Sequence, residues 1–456
     1  MADSLLGRAG ELLDDCIVAV STPRGRGAVG IVRLSGAAAT IHSILERLMP
    51  ARRALRPREM TLVSLLDATG VPFDRALAAH YPAPSSYTGE DVLELYLHGN
   101  PVVLEQALDA CLAAGARAAA PGEFTRRALA NGKLSLLEAE GVDALIRAPS
   151  REAARAAQRH LGGELDTRLR AWIRRLLASA VAFEALVDFP DEVDESEVLV
   201  EVRQLSQLEA DLRSLLDTVR AGIRLQDGVR VALVGSVNAG KSTLLNGLLG
   251  HERAIVAASP GTTRDVVAET VEWDGIAYRL EDTAGIRETL DPVEAIGIQR
   301  SVRAQDLADV LVYVADGRSA SDEIPGADSG FEGTLVSVAT HADLCSESRI
   351  ASLRNDGWTP VDGPAGWGLA QVRSAITHAA GVKDATGQLL LHTARQHVAM
   401  ETAADSVGEA VALGIEEPVL AAVAVRRAGR ALEELSGQWV DEQVLDELFA
   451  RFCIGK

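Results

Sequence analysis

The stretch Gly235-Ser-Val-Asn-Ala-Gly240-Lys241-Ser242 carries the residue types that bind a chain of phosphates. It fits the pattern G-x-x-x-x-G-K-[ST], follows a predicted strand and opens a predicted helix. Its glycines let backbone N–H groups converge on phosphate oxygens at a helix N-terminus. Lys241 would then neutralise the β- and γ-phosphates, and the Ser242 hydroxyl would bind Mg²⁺. The sequence therefore predicts a nucleoside triphosphate site.

Two later segments fit the same site. Thr262 and Thr263 follow the phosphate loop at a place where a mobile segment could close a threonine onto Mg²⁺. Asp282-Thr-Ala-Gly285 ends a predicted strand and fits the D-x-x-G element of GTPases. In that element the Asp takes an outer position on Mg²⁺ and the Gly amide senses the γ-phosphate.

The segment Thr340-His-Ala-Asp343 indicates the base. A carboxylate at Asp343 can accept from both N1–H and the 2-amino group of guanine, and adenine offers neither donor there. GTPases usually carry Asn-Lys-x-Asp at this place, so Thr340 and His341 are departures. The last base-binding loop, usually Ser-Ala-Lys, is Asp362-Gly363-Pro364. The sequence predicts guanine, with looser binding.

The residue after the D-x-x-G element departs from the usual catalytic pattern. Ras-like proteins carry a Gln that orients the attacking water, whereas this chain carries Ile286. Either the site is slow, or other groups handle the developing charge and the water.

Composition bounds the class of protein. A length of 456 residues suggests about three domains. The hydrophobic fraction is 47% without an uncharged apolar run long enough to span a membrane, and the N-terminus carries acids where a signal peptide carries bases. These features predict a cytoplasmic protein with no membrane contact. Four scattered cysteines without a C-x-x-C pair argue against a zinc site or a disulfide framework.

The charge balance limits how this chain can hold nucleic acid. The formal net charge is −20, so any RNA contact must be a local patch, such as the arginines between residues 147 and 175. The chain has few lysines and many arginines, which makes each lysine a candidate for a role that needs a compact ammonium. The lysines are Lys133, Lys241, Lys383 and Lys456.

Hydrophobic periodicity divides the chain into four segments. Residues 1–118 are predicted to be mixed α+β, 119–220 helical, 221–380 strands alternating with helices, and 381–456 helical again. The third segment predicts a mostly parallel sheet, and its position suggests an insertion into a helical domain. In the last segment the spacing predicts one apolar helix face made of Leu420, Val423, Ala428, Leu432 and Leu435.

Several motifs in order resemble one family. They are PRGRGAVGIVRLSG, APGEFTRRALANGKLSLLEAE, DFPDE, AIVAASPGTTRDV, DTAGIRE, VEAIGI and the terminal FCIGK, beside the GTPase set above. Together they resemble the bacterial tRNA-modification GTPases of the MnmE (TrmE) family, from about residue 14 to the last residue.

The resemblance implies a GTPase that acts with an FAD-containing partner, MnmG. The pair would install an aminomethyl-type group on C5 of the wobble uridine of certain tRNAs, with carbon from a tetrahydrofolate derivative (5,10-methylene or 5-formyl). It also implies an N-terminal folate-binding domain that dimerises, giving a homodimer. The Ras-like G domain is implied to be inserted in a helical domain and to meet its copy during hydrolysis.

The resemblance also implies a K⁺ site that compensates for Ile286. Asn238 matches the family's K⁺-binding Asn, and a loop matching Ala257 to Thr262 adds ligands, so that K⁺ does the work of an arginine finger. Glu294 matches the catalytic acid. The catalytic prediction is Glu294 and Lys241, and the predicted ion ligands are Ser242 and Thr263 for Mg²⁺ and Asn238, Ala257, Ser259 and Thr262 for K⁺. The predicted GTP-binding set is Asn238, Ala239, Gly240, Lys241, Ser242, Thr243, Ala257, Ala258, Ser259, Pro260, Gly261, Thr262, Thr263, Asp282, Thr283, Ala284, Gly285, Thr340, His341, Ala342 and Asp343.

The folate pocket implied by the resemblance uses Arg33, Glu94, Lys133 and Lys456. The set is chemically sensible because a pterin presents paired donors to a carboxylate, and the glutamate tail of folate is anionic. Without the family, Arg33 and Glu94 would be interpreted as a surface pair and Lys456 as a frayed end. Cys453, in the apolar run RFCI, is expected to be buried and inert.

Two other functions compete with this one. The departures at Thr340-His341 and at Asp362-Gly363-Pro364 fit a regulatory or scaffold G protein with weak, cation-indifferent turnover. An ATP-using enzyme is a third interpretation, against which the D-x-x-G element and Asp343 speak.

Overall fold

The computed structural model describes residues 15–50, 55–250, 268–282, 308–320, 333–437 and 442–455. The chain forms two compact units: the first contains residues 1–143 and 433–456, and the second contains residues 144–432. The four sequence segments remain a prediction.

Within the residues that the structure describes, each unit contains one six-stranded sheet. The strands of the first are β1 (Ile17–Val20), β2 (Val29–Gly36), β3 (Thr61–Leu66), β4 (Pro72–Tyr81), β5 (Asp91–His98) and β6 (Arg117–Ala118). The strands of the second are β7 (Val229–Val234), β8 (Ala268–Trp273), β9 (Ile276–Asp282), β10 (Val310–Asp316), β11 (Thr334–Thr340) and β12 (Thr359–Pro360).

The helices of the described residues follow the same chain order. They are α1 (Ala38–Leu48), α2 (Pro101–Ala113), α3 (Glu123–Ala130), α4 (Leu136–Arg147), α5 (Arg151–Leu161), α6 (Glu164–Asp188), α7 (Glu195–Leu216), α8 (Val219–Asp227), α9 (Lys241–Leu249), α10 (Glu347–Asn355), α11 (Leu369–Ala380), α12 (Ala394–Leu413), α13 (Pro418–Ser436) and α14 (Glu442–Phe449). None of them is long and apolar enough to cross a membrane.

The sheet of the first unit has the order β3-β4-β5-β2-β1-β6 and is antiparallel except for the β1–β6 pair. Side chains alternate between its two faces, as the pleat requires. One face is apolar, with Leu34, Leu93 and Leu95 packed against α1 and α2. The opposite face carries Arg33 and Glu94, which are directly opposed in the β2–β5 register. The unit therefore presents a polar sheet face beside α3.

The sheet of the second unit has the order β12-β11-β10-β7-β9-β8. All its pairs are parallel except β8–β9. In a parallel sheet the carboxyl ends of neighbouring strands meet at one edge, which is where ligands bind in open α/β sheets. That edge is formed by the ends of β7, β10 and β11 and by the backbone end of β9 at Asp282. Together the two units confirm the predicted fold class of mixed α+β, helical and mostly parallel α/β parts.

Helices α5 to α8, α12 and most of α13 supply the helical part of the second unit. α7 packs along both α6 and α12. Side-chain caps start several of these helices: Ser150 accepts from the backbone N–H of Ala153, and Thr393 accepts from that of Gln396. Such caps satisfy backbone donors that a helix leaves open at its first turn.

The predicted apolar face of α13 is wrong in part. Ala428, Leu432 and Leu435 are buried, but Leu420 and Val423 are 51% and 57% exposed. The buried face instead continues through small residues, Ala421 and Val425, at helical spacing from Ala428. The buried face of α13 therefore consists of Ala421, Val425, Ala428, Leu432 and Leu435.

Candidate functional site

The phosphate loop lies between β7 and α9 with the geometry its glycines predict. Gly235 has φ +147° and Gly240 has φ +84°, and Asn238 between them also has a positive φ of 62°. A Cβ on Gly240 would lie 3.2 Å from Cγ2 of Thr340, so the loop passes close to the end of β11. These turns bring the loop over the N-terminus of α9, where backbone N–H groups are open to an anion.

Lys241 is held inside this loop. Its side chain is 5% exposed, and Nζ donates to the carbonyl oxygens of Gly235 and Ser236 at 2.8 and 2.6 Å. Ser242 and Thr243 follow in the first turn of α9 and are exposed. An ammonium fixed beside two exposed hydroxyls suits a phosphate chain with a hard cation, because Mg²⁺ prefers oxygen ligands. The residues present therefore fit both the divalent ion and the phosphates.

Thr340 connects the base-binding segment to the phosphate loop. Its hydroxyl lies 2.7 Å from the carbonyl oxygen of Ala239 and 3.1 Å from that of Ala315. The residue is 5% exposed, so these are buried contacts in which a hydroxyl is worth more than on the surface. The departure from Asn thus retains a side chain that bonds to the phosphate loop.

His341 and Asp343 occupy a tight turn after β11. His341 has φ +55°, and a one-turn 3-10 helix follows at Ala342–Leu344, with Asp343 exposed on it. The backbone N–H of Ala342 donates to the carbonyl of Val361 at 3.2 Å. The turn therefore lies against the start of the loop 361–367, which contains the predicted Asp362-Gly363-Pro364 segment.

The loop 361–367 is close to the first turn of α9. A Cβ on Gly363 would lie 2.9 Å from Cγ2 of Thr243. The backbone N–H of Asp362 donates to the carbonyl of Trp367 at 3.0 Å, and the Asp362 carboxylate accepts from the N–H of Ala365. The fold thus brings the phosphate loop, the Thr340 turn and this loop to one edge of the sheet.

Sequence reasoning missed a charged group at the same edge. Arg318 hydrogen-bonds to both carboxylate oxygens of Asp316, which lowers the pKa of Asp316 to about 2. Nδ1 of His341 lies 3.6 Å from Asp316 Oδ2. The signal was available, because Asp316 ends a predicted strand beside β7 and the carboxyl ends of parallel strands meet.

Thr340→Val tests the contact between this turn and the phosphate loop. The substitution keeps the side-chain shape and leaves the buried Ala239 carbonyl without its donor, at a cost of about 1–2 kcal/mol. The dissociation constant for GDP, measured with a fluorescent analogue, is expected to rise about tenfold. The matched control is Thr402→Val, since Thr402 is exposed on α12 and its hydroxyl bonds to the Val398 carbonyl one turn earlier. Equal GDP affinity in the two variants would contradict a role for the Thr340 hydroxyl.

The structure pairs two of the predicted folate residues. Nε of Arg33 donates to Glu94 Oε1 at 2.9 Å, and a second nitrogen of the guanidinium lies 2.7 Å from the same oxygen. The Tyr96 hydroxyl donates to the other oxygen, Oε2, at 2.5 Å. The Arg33 guanidinium lies 5.6 Å from the ring centroid of Tyr87 and 5.8 Å from that of Phe124. The Glu94 carboxylate, the Arg33 guanidinium and the partly exposed Tyr87 ring form a setting for a flat heterocycle, whereas Phe124 is fully buried.

Lys133 and the C-terminal residues belong to the same unit. A Cβ on Gly89 would lie 3.2 Å from Cγ of Lys133, so the exposed Lys133 lies beside the loop that carries Tyr87. The Ser21 hydroxyl donates to the carbonyl of Gly455 at 3.0 Å, which places the end of the chain at the end of β1. Cys453 is exposed, so the expectation of a buried thiol is wrong: the neighbouring Phe452 takes the buried position instead.

Several predicted residues lie outside the part of the chain that the structure describes. They are Ala257, Ala258, Ser259, Pro260, Gly261, Thr262, Thr263, Thr283, Ala284, Gly285, Ile286, Glu294 and Lys456, and Asp282 is described in its backbone alone.

The arginines of the predicted RNA patch lie on α4, α5 and α6. Exposed ones on α6 are Arg168, Arg170 and Arg174. Arg170 pairs with Asp166 at 2.9 Å and Arg168 with Glu164 at 3.3 Å. Such surface pairs are weak, and both guanidinium groups keep donors for a phosphate backbone.

Comparison with known proteins gives consistent matches over the whole chain. Residues 16–133 match the family model described as GTP-binding protein TrmE N-terminus, and residues 136–453 match the model of the MnmE helical domain. The chain is 39% identical over 460 residues to the tRNA modification GTPase MnmE of Aromatoleum aromaticum, covering 97% of this chain and 98% of that protein. It is 40% identical over 450 residues to the protein of the same name from a strain of Thermus thermophilus, covering 97% and 99%. Among solved structures, the FeoB G-domain of Methanococcus jannaschii covers 34% of this chain at 19% identity with a TM-score of 0.25, a likeness too weak to carry an argument.

Proposed function

This chain belongs to the MnmE family of tRNA modification GTPases, and we propose that it is a K⁺-dependent GTPase that acts with MnmG in folate-dependent modification of C5 of the wobble uridine of tRNA. The product would be a carboxymethylaminomethyl- or aminomethyl-type uridine. The enzyme would work in the cytoplasm as a homodimer.

One observation supports the proposal of GTP hydrolysis. The phosphate loop, the Thr340 turn and the loop 361–367 converge at the carboxyl edge of a mostly parallel sheet. Within that arrangement Lys241 would bind the β- and γ-phosphates, Ser242 would present its hydroxyl to Mg²⁺, and Asp343 would accept from guanine. The divalent ion would neutralise charge on the β- and γ-phosphates.

The departures from the usual GTPase pattern concern the base more than the phosphates. Thr340 supplies the contact to the phosphate loop, whereas His341 has a ring in place of the aliphatic stem of Lys. We therefore expect phosphate binding to be intact and guanine binding to be looser. Catalysis without a Gln after the D-x-x-G element would depend on Asn238, Glu294 and a monovalent cation that stabilises developing negative charge.

Steady-state hydrolysis tests this proposal directly. The purified full-length protein is given GTP or ATP, each in K⁺ and in Na⁺ at equal ionic strength. We expect GTP turnover in K⁺ to exceed that in Na⁺ by at least about tenfold, since a correctly placed positive charge contributes on that scale or more. ATP should be hydrolysed poorly in both salts.

The same measurement separates the main alternative. A regulatory or scaffold G protein is favoured by the Thr340-His341 departure and by the exposed Asp343. It predicts slow GTP turnover that is the same in K⁺ and Na⁺. That result would remove the cation-dependent enzyme from consideration.

The folate part of the proposal rests on the polar sheet face of the first unit. Glu94 would accept from the pterin, and Arg33 and the Tyr87 ring would flank it. Lys133 with Lys456 would bind the anionic glutamate tail. A reduced folate would supply the one-carbon unit. The residues named here bind and orient that cofactor.

Arg33→Ala and Lys133→Ala test the pocket. Each removes a cation from a site for an anionic ligand, so the dissociation constant for 5-formyltetrahydrofolate, measured by calorimetry, is expected to rise at least about tenfold. Lys383→Ala is the control, because Lys383 is an exposed lysine whose carboxylate neighbour is Asp274 at 3.6 Å. Unchanged affinity in both pocket variants would count against this location.

Partners follow from the same proposal. The net charge of −20 means that tRNA would be held mainly by MnmG or by local arginines such as those on α6. Phosphate contacts from Arg168, Arg170 and Arg174 would position the RNA without reading its sequence.

A further inference from the structure

A partly buried ionic network surrounds Arg127 in the first unit. The side chains of Arg127, Glu90 and Glu123 are at most 10% exposed, whereas those of Arg117 and Asp15 are 45% and 39% exposed. Arg127 on α3 has a side chain only 4% exposed. Its guanidinium nitrogens contact Asp15 Oδ1 at 2.5 Å, Glu123 Oε1 at 3.1 Å and both carboxylate oxygens of Glu90 at 3.2 Å. Arg117 shares two of these carboxylates, those of Asp15 and Glu123. The cluster therefore contains two guanidinium groups and three carboxylates.

The network ends on the loop 86–90, between β4 and β5. Glu90 Oε2 accepts from the Ser35 hydroxyl at 2.6 Å, and the Ser35 and Thr88 hydroxyls are themselves 2.6 Å apart. Ser35 and Thr88 are fully buried. A continuous chain of charged and hydroxyl groups thus connects Arg127 to Thr88 inside the unit.

The helix α3 and the turn after it contact this loop at two further points. The Asn131 side-chain amide donates to the Thr88 carbonyl at 2.7 Å. The hydroxyls of Tyr87 and Thr125 are 2.9 Å apart. The loop 86–90 is therefore held by the contacts of Glu90 and by the contacts of Tyr87 and Thr88 with α3 and the turn after it.

The two residues of this loop that border the predicted folate residues are Tyr87 and Gly89. Tyr87 lies under the Arg33 guanidinium. Gly89 has φ +83°, and a Cβ there would lie 2.9 Å from Cβ of Asn131 and 3.2 Å from Cγ of Lys133. The loop thus lies between the residue expected at the pterin and the residue expected at the glutamate tail.

Stability alone is a poor reason for such a network. Burying charged groups removes their hydration, and their mutual attraction offsets that free-energy cost only in part. Well-packed apolar residues can often replace a buried ion pair without lowering the stability of the protein. Nε of Arg127 has no hydrogen-bond partner, but its two terminal nitrogens contact three carboxylates. These contacts provide a single geometry, because each partner has fixed directions. A loop whose one side must match a ligand benefits from that geometry.

We infer that Arg127 is a positioning residue for the folate pocket: acting through Glu90, Ser35 and Thr88, it fixes the loop 86–90 so that Tyr87 and Gly89 keep Arg33 and Lys133 at the spacing that a reduced folate needs. This inference rests on the folate part of the proposed function. Arg127 itself is separated from the pocket by the loop and has no contact with ligand.

The test uses the full-length protein and 5-formyltetrahydrofolate as the probe, with binding measured by calorimetry. Glu90→Gln keeps an acceptor for Ser35 but removes the charge that faces Arg127, and Ser35→Ala removes the connection to Thr88. Each is expected to weaken folate binding about tenfold. The dissociation constant of the double variant is expected to be at most about three times that of the single variant with the lower affinity. The two effects should not multiply, because both substitutions release the same loop.

The matched control is Arg126→Ala. Arg126 is the next residue on α3 and pairs with Asp446 at 2.7 Å, away from the loop 86–90. Hydrogen exchange supplies a local readout: the amides of Gly89 and Glu90, which donate to Ser86 and Thr88 hydroxyls, should exchange faster in Ser35→Ala. The amides of Leu93 and Leu95 in β5 should be unchanged.

The possible results distinguish a failure of the positioning role from a failure of the proposed folate binding. If the wild-type protein does not bind the probe, or if Arg33→Ala and Lys133→Ala bind it normally, the folate proposal fails and the inference with it. If those two variants lose binding while Glu90→Gln and Ser35→Ala bind normally, the pocket stands and the positioning role is overturned. Equal loss in Arg126→Ala, or faster exchange throughout β5, would show general destabilisation and would also overturn it.

Discussion

Lys241→Ala is expected to lower kcat for GTP hydrolysis by about 10³-fold, since removing one preorganised donor from a transferring group costs 10²–10³ and this one carries a full charge. The expectation is large because Lys241 is already oriented. Its buried ammonium donates to the carbonyls of Gly235 and Ser236, which hold it within the phosphate loop. Single-turnover hydrolysis at saturating GTP in K⁺ measures the effect on chemistry.

Two further variants make that result specific. Lys383→Ala removes an exposed lysine of the same unit and should leave kcat unchanged. Lys241→Arg should restore little activity, because a planar guanidinium cannot replace a compact ammonium between two loop carbonyls. A Lys241→Ala protein that keeps more than about a tenth of the activity would contradict the assignment of Lys241 to the phosphates.

Gly235→Ala is expected to destabilise the second unit by about 4 kcal/mol or more, which is the range reserved for backbone strain and severe clash. Gly235 has φ +147°, and a Cβ there would lie 2.0 Å from the carbonyl oxygen of Val314. Val314 is in β10, which pairs with β7 on one side and β11 on the other. The carbonyl cannot withdraw without disturbing both pairs, so GDP binding should be lost as well.

Gly387→Ala distinguishes the destabilisation caused by the steric clash from that caused by the positive φ angle. Gly387 also has a positive φ, +83°, but a Cβ there would meet nothing within 4 Å. It should cost only about 1 kcal/mol. Urea unfolding followed by tryptophan fluorescence compares the two, since Trp273, Trp358 and Trp367 all lie in the second unit. Equal unfolding midpoints would mean that the close approach of Gly235 to β10 is absent in solution.

The elements that sequence predicted best are those whose information is local. The strands β7 and β9 lie where the sequence predicted them, immediately before the phosphate loop and ending at Asp282. The phosphate loop is similar, because eight consecutive residues contain its glycines, its lysine and its helix start. In such segments, interactions between residues close together in the chain determine the local structure.

The α13 face and Cys453 show where local reasoning failed. Apolar size pointed to Leu420, Val423 and a buried thiol, but burial depends on which partner surface a helix or tail meets. Ala421 and Val425 take the buried positions that precede Ala428, and hydrophobic periodicity alone did not distinguish them from Leu420 and Val423.

By itself the sequence determined the family, the fold class and the phosphate chemistry, because those depend on motifs and periodicities that consecutive residues carry. Only the tertiary structure decided which distant groups meet. Arg33 and Glu94, 61 residues apart, pair because β2 and β5 are in one register, and Thr340 reaches Ala239 because β11 ends at the edge where the phosphate loop begins. Arg127 collects carboxylates from two distant segments, at Asp15 and Glu90, in the same way. Such contacts depend on strand register and helix packing, which balance free energies over the whole unit, and a linear sequence does not display that balance.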